Sequence, residues 1–370
     1  MSKPFMYSSL FGELTKSIQA RIDAASELNK RLFDNVLYRN YLDWDSKGVS
    51  LDFEELRGKH NLTIAAATIG DNSKEPVLGS YGVETMRERV LNHAVTLPMT
   101  VHDYRKITML LDSKTISDQQ KNAQLIDLMW GDVQRVVNGV EAKLDLIFLS
   151  ALSSEGKFTF DETNNPEGGV RGEINYQQPA GNIASSKTAW ADANVATVDC
   201  FEDIQAILDA ADSKSVLGKI LCSPSRISYM CRTTKMKQMI HGSDKSSQIV
   251  QLKDINDYMT ANGLPTFVPI RRQMKIQNGS QLTAVTPWND ANMVFVPDGK
   301  LGVVKSALSN CELKPESDVA YSNYGNIVVS KWYVGETKGA NYGEFTKAEV
   351  LALPVITEIE NIYTLKTYTA

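Results

Sequence analysis

The amino-acid sequence predicts an α+β protein, and three observations support this. An apolar repeat at intervals of three and four residues runs unbroken from Ser117 to Ser154, which is typical of one very long helix. Runs before and after it alternate apolar with polar residues, as half-buried strands do. From Asp199 the chain changes to short alternating helices and strands, which favours a compact second lobe.

The long helix has marked ends. Ser117 is a good N-cap, Gln120 stands where a capping box has its second residue, and Gly156 follows the last apolar residue. A helix of ~37 residues is ~55 Å long. Gly131 and Gly139 lie inside it, and each costs ~1 kcal/mol in a helix interior. Because a coiled coil would avoid them, the sequence predicts a bent spine with one buried face, and we assign the bend to these two glycines.

Upstream of this spine helix, the sequence predicts a helix over 8–42 and then a long hairpin. The arms of the hairpin are 62–69 and 83–100, and its polar tip is 70–82. A long two-stranded hairpin is only marginally stable alone. The hairpin therefore predicts a partner surface, and it is the first indication of an assembly.

Downstream of the spine helix, the sequence predicts a short strand over 157–160 and then the second lobe over 199–305. Ser223 followed by Pro224 marks the start of a helix in that lobe, and its pattern continues to Ile240. Alternating runs at 326–333 and 355–368 predict strands that return to the sheet beside the spine helix.

The composition is that of an ordinary globular protein, with 42% hydrophobic and 22% charged residues. The formal net charge of −5, from 39 basic and 44 acidic residues, argues against a nucleic-acid binder that neutralises phosphates. It does not exclude a container for nucleic acid. No run has the length of a signal peptide or membrane span, and the four cysteines lack CxxC spacing. The sequence therefore predicts reduced thiols and a protein that is cytoplasmic or assembled there.

Sequence motifs of common enzymes and metal sites are not found: GxSxG, the Walker loop, GxGxxG after a strand, and HExxH. His93 and His102 lie in the hairpin arm, where we expect surface or interface residues. Asp43 and Asp45 form a bare DxD, which more often marks a solvated helix end than a cation site. We expect small buried hydrophobes at Cys222 and Cys231. We expect solvated basic faces at Lys235, Lys237, Arg271 and Arg272. The sequence predicts no catalytic residue, cofactor or metal. Catalytic residues that are far apart in the sequence can, however, come together in the folded chain.

Four stretches resemble passages of tailed-phage major capsid proteins with the Hong Kong 97-type fold, the lambda-like major capsid family. They are LPMTVHDYRKITMLLD (97–112) at the exit from the hairpin, ALSSEGKFTF (151–160) after the long helix, the strand–turn–strand run 263–304, and LPVITEIENIYTLKTY (353–368) at the last strand. The order of parts is also similar: arm, long loop, long helix, α+β lobe and returning strands. The large charged segment that serves as a built-in scaffold in some relatives is not visible here.

The resemblance implies five parts. They are an N-terminal arm (1–57), an extended loop (58–104), a peripheral domain (105–198) with the spine helix 117–154, an axial domain (199–305), and a return to the peripheral domain (306–370). The implied function is that of a major capsid protein, which self-assembles as hexamers and pentamers into an icosahedral shell around phage double-stranded DNA. Neither sequence-specific DNA binding nor a membrane is implied. Separate scaffolding, portal and decoration proteins are implied partners, with assembly in the host cytoplasm and a final place in the virion capsid.

Two other functions stay open at this point. A cellular nanocompartment shell of the same fold would hold a cargo enzyme instead of DNA. An α+β enzyme would be a monomer or small oligomer with a deep polar pocket. Some relatives also crosslink a loop lysine to an asparagine of a neighbouring subunit. The candidates here are Lys74 with Asn341 or Asn361, although no motif specifies the pair.

Overall fold

The computed structural model describes most of the chain between residues 36 and 368. The described residues are 36–57, 84–99, 101–113, 117–211, 216–242, 248–334 and 343–368. Their α-helices are α1 (Tyr38–Tyr41), α2 (Val101–Asp112), α3 (Asp118–Ser153), α4 (Cys200–Ala211), α5 (Pro224–Arg232), α6 (Thr234–His241), α7 (Leu252–Ala261) and α8 (Asn310–Leu313).

The strands of these residues are β1 (Leu42–Trp44), β2 (Asp52–Arg57), β3 (Glu84–Arg89), β4 (Leu91–Pro98), β5 (Lys157–Phe160), β6 (Gly172–Asn175), β7 (Ile183–Ser185), β8 (Leu217–Cys222), β9 (Thr266–Pro269), β10 (Met274–Asn278), β11 (Gln281–Val285), β12 (Asn292–Pro297), β13 (Gly302–Ala307), β14 (Ala320–Tyr324), β15 (Ile327–Val334), β16 (Gly343–Ile356) and β17 (Tyr363–Lys366). Within the described ranges, no helix combines the length and the apolar character that a membrane span needs.

Helix α3 is the spine helix and has 36 residues. The predicted start is confirmed, because Ser117 Oγ accepts a hydrogen bond from Gln120 N at 3.3 Å and Gln120 Oε1 accepts one from Ser117 N at 3.4 Å. The helix buries an apolar stripe, which comprises Val133, Val136, Val137, Val140, Leu144, Ile147, Phe148 and Ala151. These residues fall at intervals of three and four, so one face of the helix lies in the core.

A six-stranded sheet packs on the spine helix. Strand β16 has 14 residues and is the centre of this sheet. It pairs antiparallel with β15 through 343–349, with β13 through 351–356 and with β4 through 345–352. Strand β1 adds in parallel to β13, and β14 adds antiparallel to β15. The apolar side chains between this sheet and the spine helix form what we call the spine core.

A five-stranded sheet, in the order β7-β17-β12-β8-β9, separates the spine core from a second core. Successive residues of a strand point to opposite faces. Val294 and Val296 of β12 accordingly belong to the spine core, and Met293 and Phe295 belong to the second core. Helices α4, α5, α6 and α7 supply the other side of the second core. Three antiparallel hairpins complete the described fold: β2–β3, β5–β6 and β10–β11.

Strand pairing differs from the sequence prediction in three segments. Strand β17, which the sequence places beside the spine helix, pairs with β12 and β7 in the five-stranded sheet. Strand β13, which the sequence places in the second lobe, pairs with β16 in the six-stranded sheet. Strand β7, which the sequence places with the spine helix, joins β17. The reason is physical: alternation shows that a segment has one buried face but not which neighbour it pairs with.

The extended loop and the arm also differ from the prediction where they are described. Strand β3 pairs with β2, so the stem of the loop starts inside the region predicted as arm. The predicted first arm of the hairpin, 62–69, and its tip lie outside the described residues. The chain after the hairpin forms helix α2 from Val101, which the sequence analysis missed. The predicted helix 8–42 is wrong at its end, because only Tyr38–Tyr41 is helical and Leu42 begins β1; residues 8–35 lie outside the described ranges.

The predicted helix from Pro224 to Ile240 is two helices, α5 and α6. Thr233 between them adopts an extended conformation, with φ −65° and ψ 141°. Its Oγ1 donates a hydrogen bond to Met230 O at 2.9 Å, which satisfies a carbonyl at the end of α5. A threonine side chain that bonds the preceding turn can end a helix without disturbing the apolar pattern.

Candidate assembly surface

The base of the extended loop is the part of the described chain that points most directly to assembly. Strands β2 and β3 pair through the six residues of each, so the loop leaves the body as a two-stranded stem. Asp52 lies opposite Arg89, a pairing of opposite charges that favours this register. The stem is tied to the body because Leu51 O accepts a hydrogen bond from N–H of the buried Val90 at 2.9 Å.

Strand β4 carries the chain from this stem across the spine helix. A Cβ atom at Gly139 would lie 3.2 Å from Val95 Cγ1, so β4 approaches the helix closely at this glycine. At Gly131 a Cβ atom would meet no described atom within 4 Å. Close packing is therefore a structural reason for glycine at 139 but not at 131. The role of both glycines as a bend in the spine stays a prediction.

A groove of about 520 Å³ opens beside β4. Its walls are β4, the spine helix at Gly139 and Lys143, the loop 164–170, and Ile276 of β10. Lys143 crosses the groove: its Nζ donates to Asn164 O at 2.8 Å and lies 5.4 Å from the centre of the Phe160 ring. Burial lowers the pKa of Lys143 to about 8. The lysine thus connects the spine helix to the loop that follows β5.

His93 of β4 lies on the inner side of this groove. The sequence places it at the surface or in an interface, and this prediction is wrong for the chain by itself, because the side chain is only 7% exposed. One ring nitrogen, Nε2, lies 3.1 Å from Ala352 O of β16. Burial, with the charge of Lys143 as a second cause, lowers the pKa of His93 to about 4. His93 is therefore a neutral core residue at neutral pH, whereas His102 is exposed.

Two buried carboxylates of the spine helix hold the end of the N-terminal arm. Asp145 accepts hydrogen bonds from the backbone N–H groups of Leu37 at 3.2 Å and Tyr38 at 2.8 Å. Glu141, one turn earlier, accepts a hydrogen bond from Tyr38 Oη at 2.5 Å and pairs with Arg39. Both carboxylates are 0% exposed. The arm therefore enters the body at one defined point on the spine helix.

Arg272, in the segment between β9 and β10, is the second cation at this site. Its Nε lies 2.8 Å from Asp145 Oδ2, and its side chain is only 16% exposed. The predicted solvated face is wrong at Arg272, although Arg271 is exposed. Burial raises the pKa of Asp145 to about 6, while the two backbone hydrogen bonds and the charge of Arg272 lower it. Asp145 is thus ionised and paired at neutral pH.

The other predicted residues have plain structural roles or lie outside the described ranges. Asp43 pairs with Lys300 at 3.0 Å and Asp45 with Lys305 at 2.6 Å, so each carboxylate of the DxD motif forms an ion pair with a lysine. Within the described ranges, no three His, Cys, Asp or Glu side chains are placed to hold a metal ion. The four cysteines are free thiols; Cys222 is buried as predicted, and Cys231 is half-buried.

Of the three residues proposed for the crosslink, the structure describes Asn361. Lys74 and Asn341 lie outside the described residues. Asn361 is 4% exposed, and its Nδ2 donates a hydrogen bond to Glu358 Oε2 at 2.8 Å. Its amide would have to leave this site before a neighbouring lysine could reach it.

Sequence reasoning missed the charges of the spine core, which are the buried Glu141, Asp145, Lys331, Glu344 and Glu349 and the half-buried Arg272. A signal for the first two was present. Each acidic residue directly follows an apolar residue of the stripe, Val140 or Leu144, and the two are four residues apart. Acidic residues at this spacing share one helix face, and that face borders the buried stripe.

The described chain comprises a two-stranded stem, a long spine helix, one sheet that packs on that helix, and a second sheet with its own helical layer. The model of one protein family, phage major capsid protein E, matches residues 79–367. The chain belongs to this family. Its members are shell-forming capsid proteins of phage virions, and the predicted capsid function and virion location are confirmed at that level.

Solved structures of phage capsid proteins and of an encapsulin are similar to this chain. The putative capsid protein of a prophage from Escherichia coli CFT073 is similar over 77% of this chain and 79% of its own, at 13% identity and a TM-score of 0.52. The mature capsid of bacteriophage PhiM1 matches 89% of this chain and 86% of its own, at 11% identity and a TM-score of 0.43. The holo-SrpI encapsulin of Synechococcus elongatus PCC 7942 matches 88% and 85%, at 8% identity and a TM-score of 0.36.

The prophage protein, together with the family, confirms the predicted α+β, Hong Kong 97-type capsid fold. The other two similarities are too distant to carry an argument. A comparison with curated proteins finds no match.

Proposed function

We propose that this chain assembles with copies of itself, as hexamers and pentamers, into a closed icosahedral shell around phage double-stranded DNA. The observation that carries this proposal is the family match over 79–367, which includes the spine helix and nearly all strands of both sheets. The chain acts by self-assembly and not by catalysis. The net charge of −5 suits a wall that encloses DNA without specific or tight contacts.

Each layer of the fold has a place in this proposal. The spine helix with the six-stranded sheet is the peripheral domain, and the five-stranded sheet with α4 to α7 is the axial domain around the capsomer centre. Residues 58–83, carried by the β2–β3 stem, lie over a neighbouring subunit. Head-to-tail contacts of this kind close into rings when the rotation between subunits allows it. A loop that reaches the neighbour adds interface area without enlarging the core.

The partners are further copies of the chain together with separate scaffolding, portal and decoration proteins. Assembly takes place in the host cytoplasm, and the finished shell becomes the virion capsid. A separate scaffolding protein is proposed from the membership of the chain in the capsid family. Co-expression with the neighbouring genes of the same phage, compared with expression alone, tests this: more uniform shells with the neighbours are expected, and identical particles would contradict it.

Electron microscopy of the purified chain tests the proposal as a whole. Closed particles of uniform diameter, or rings of five and six subunits, are the expected result. Size-exclusion chromatography at high protein concentration and physiological salt is the second measurement. A discrete monomer under all these conditions would contradict the proposal and favour the small-oligomer enzyme.

The contents of particles from infected or induced cells separate a phage shell from a nanocompartment. The expected result is DNA of fixed length that resists nuclease until the particles are opened. Particles that lack DNA and hold a second protein at a fixed ratio to the shell would contradict the DNA-enclosing role and support the nanocompartment hypothesis.

A loop deletion tests the role of the stem. Residues 58–83 are replaced by Asn-Gly, which suits a tight turn between paired strands such as β2 and β3. The expected product unfolds cooperatively at an unchanged temperature and forms no shells. The matched control replaces 58–83 by a flexible Gly-Ser chain of the same length. Shell formation by the deletion variant would show that the loop is dispensable.

Denaturing electrophoresis tests the crosslink. If Lys74 is crosslinked to Asn341 or Asn361 of a neighbour, boiled particles will give covalent ladders that disappear in Lys74→Ala and in the alanine variant of the asparagine that reacts. A single band at monomer mass would contradict the crosslink and leave the shell proposal untouched.

A further inference from the structure

Strand β9 is an edge strand of the five-stranded sheet, with β8 as its one described strand neighbour. An edge strand exposes backbone N–H and C=O groups that can pair with a strand from another molecule. In a shell, where many copies lie side by side at high local concentration, such an edge is a site of wrong association. The structure shows which outward backbone N–H groups of β9 are available for such pairing.

Backbone groups of alternate residues face opposite sides of a strand. Ile270 N, just after β9, donates to Cys222 O of β8 at 2.9 Å, so even-numbered residues face β8. Residues 265, 267 and 269 therefore face away from the sheet. Two of them, Pro265 and Pro269, are prolines and have no N–H to offer.

Phe267 is the remaining outward position, and a side chain occupies it. Phe267 N donates to Asn256 Oδ1 at 2.8 Å, and Phe267 O accepts from Asn256 Nδ2 at 3.1 Å. Asn256 belongs to α7, which packs on β9. Its carboxamide makes the two hydrogen bonds that a further strand would make at this residue.

We propose that Asn256, with Pro265 and Pro269, closes this sheet edge against strand addition by a second copy of the chain. The three residues remove every outward N–H of the edge: two by covalent structure and one by a side-chain hydrogen bond. The opposite edge strand, β7, has only three residues, and a short edge is a second known protection. This inference goes beyond the capsid function, because it concerns a contact that the chain avoids.

The experiment opens the edge in the full-length chain. Asn256→Ala removes the side-chain cap, Pro269→Val restores an N–H, and the double variant combines them. The critical concentration for sedimentable, thioflavin-positive material is measured for each. The double variant should lower it by about thirtyfold, since it frees three backbone hydrogen-bonding groups, two at Phe267 and one at position 269, and each regained hydrogen bond contributes about a factor of three. Asn262→Ala, which removes an exposed amide bonded to Tyr258 O at the end of the same helix, should leave it unchanged.

Loss of stability could also cause aggregation, so two variants separate the causes. Ile255→Val shortens a fully buried side chain of the same helix and leaves the edge closed. If it aggregates as readily as Asn256→Ala at equal loss of thermal stability, the proposal is overturned.

Thr266→Glu adds a charge to the edge, opposite Lys219, without restoring the hydrogen bonds. Added to the double variant, it should suppress thioflavin-positive material, and continued aggregation would count against edge pairing. These measurements are independent of whether wild-type shells form, so failure of one proposal is distinguishable from failure of the other.

Discussion

The spine core and the second core are built from different chemistry. The spine core contains buried charged side chains, which are Glu141, Asp145, Lys331, Glu344 and Glu349. The second core is rich in sulfur, from Cys200, Cys222, Met230, Met236, Met259 and Met293. Among the described residues, its buried charge is Asp203, which accepts hydrogen bonds from Lys187 N and Trp190 Nε1.

This difference shows how the two cores are specified. A buried ion needs a partner in the right place, so two pairs in the spine core each fix one element against the helix: the arm through Arg39 and the segment before β10 through Arg272. Methionine side chains are flexible and fill irregular space, so the second core tolerates changes of shape. We therefore expect the spine core to define relative positions and to respond sharply to single substitutions.

The largest effect is expected at Asp145. Asp145→Asn keeps the shape of the side chain but leaves Arg272 without its countercharge, and should reduce the free energy of unfolding by about 3–5 kcal/mol. The matched control is Asp43→Asn, which breaks the exposed pair with Lys300 and should cost less than about 1 kcal/mol. Urea unfolding of the unassembled chain measures both. Equal losses would show that burial of the ion pair is unimportant.

His93 should make the spine core sensitive to acid. Its folded pKa of about 4 lies below the ordinary value of 6.5, so the stability contribution is complete above pH 6.5 and is lost as the pH falls toward 4. The loss should reach roughly 3 kcal/mol, because the unfolded chain binds the proton first. His93→Gln should flatten the decline measured between pH 7 and pH 4, and exposed His102→Gln should not. A decline that persists unchanged in His93→Gln would assign it to other groups.

The same substitution in the two cores should have opposite signs. Tyr38→Phe removes a hydrogen bond to the buried carboxylate of Glu141 and should cost about 1.5–3 kcal/mol. Tyr363→Phe removes a buried hydroxyl that has no hydrogen-bond partner among the described residues, and should gain roughly 1 kcal/mol. Thermal unfolding of both variants decides the comparison. A loss of stability in Tyr363→Phe would contradict the assignment of an unpaired hydroxyl.

The smallest effects are expected at the glycines of the spine helix. Gly131→Ala should stabilise the helix by about 1 kcal/mol, because no described atom opposes the new methyl group. Gly139→Ala should gain less, because Val95 must move, and the coupling should appear in a double-mutant cycle with Val95→Ala. If the bend matters, the Gly131→Ala, Gly139→Ala pair will be more stable as a monomer and will lose shells. Normal shells from that pair would remove the proposed bend.

Periodic features of the fold could be predicted from the sequence. The spine helix was accessible because its stripe, its Ser117 cap and its Gly156 stop all agree. The sequence did not allow us to predict which strands pair. Strand β17 alternates as a strand should, but nothing local distinguishes β12 from β16 as its neighbour. The break at Thr233 lies at an extended residue whose backbone N–H and side-chain hydroxyl both bond Met230 O, and it leaves the apolar pattern of α5 and α6 intact.

Only part of the candidate assembly surface could be predicted from the sequence. The sequence pattern predicts strand character for β3 and β4, but not for β2, because the charged sequence from Asp52 gives a weak strand signal. Tertiary packing against β16 buries His93, and packing against the loop 164–170 leaves Lys143 half-buried. Burial of this kind is decided by distant segments, which single-sequence periodicity does not report.

Strand β16 also determines when the molecule can fold during synthesis. It pairs with β4, about 250 positions earlier in the chain, and the five-stranded sheet is likewise incomplete until β17 is made. Contacts between residues far apart in sequence form slowly, and the chain emerges from the ribosome from its N-terminus. Neither sheet can close before the last strands have emerged, whereas the spine helix can form early from local contacts. We therefore expect the surfaces that a neighbouring subunit recognises to be completed only after the last strands have been made.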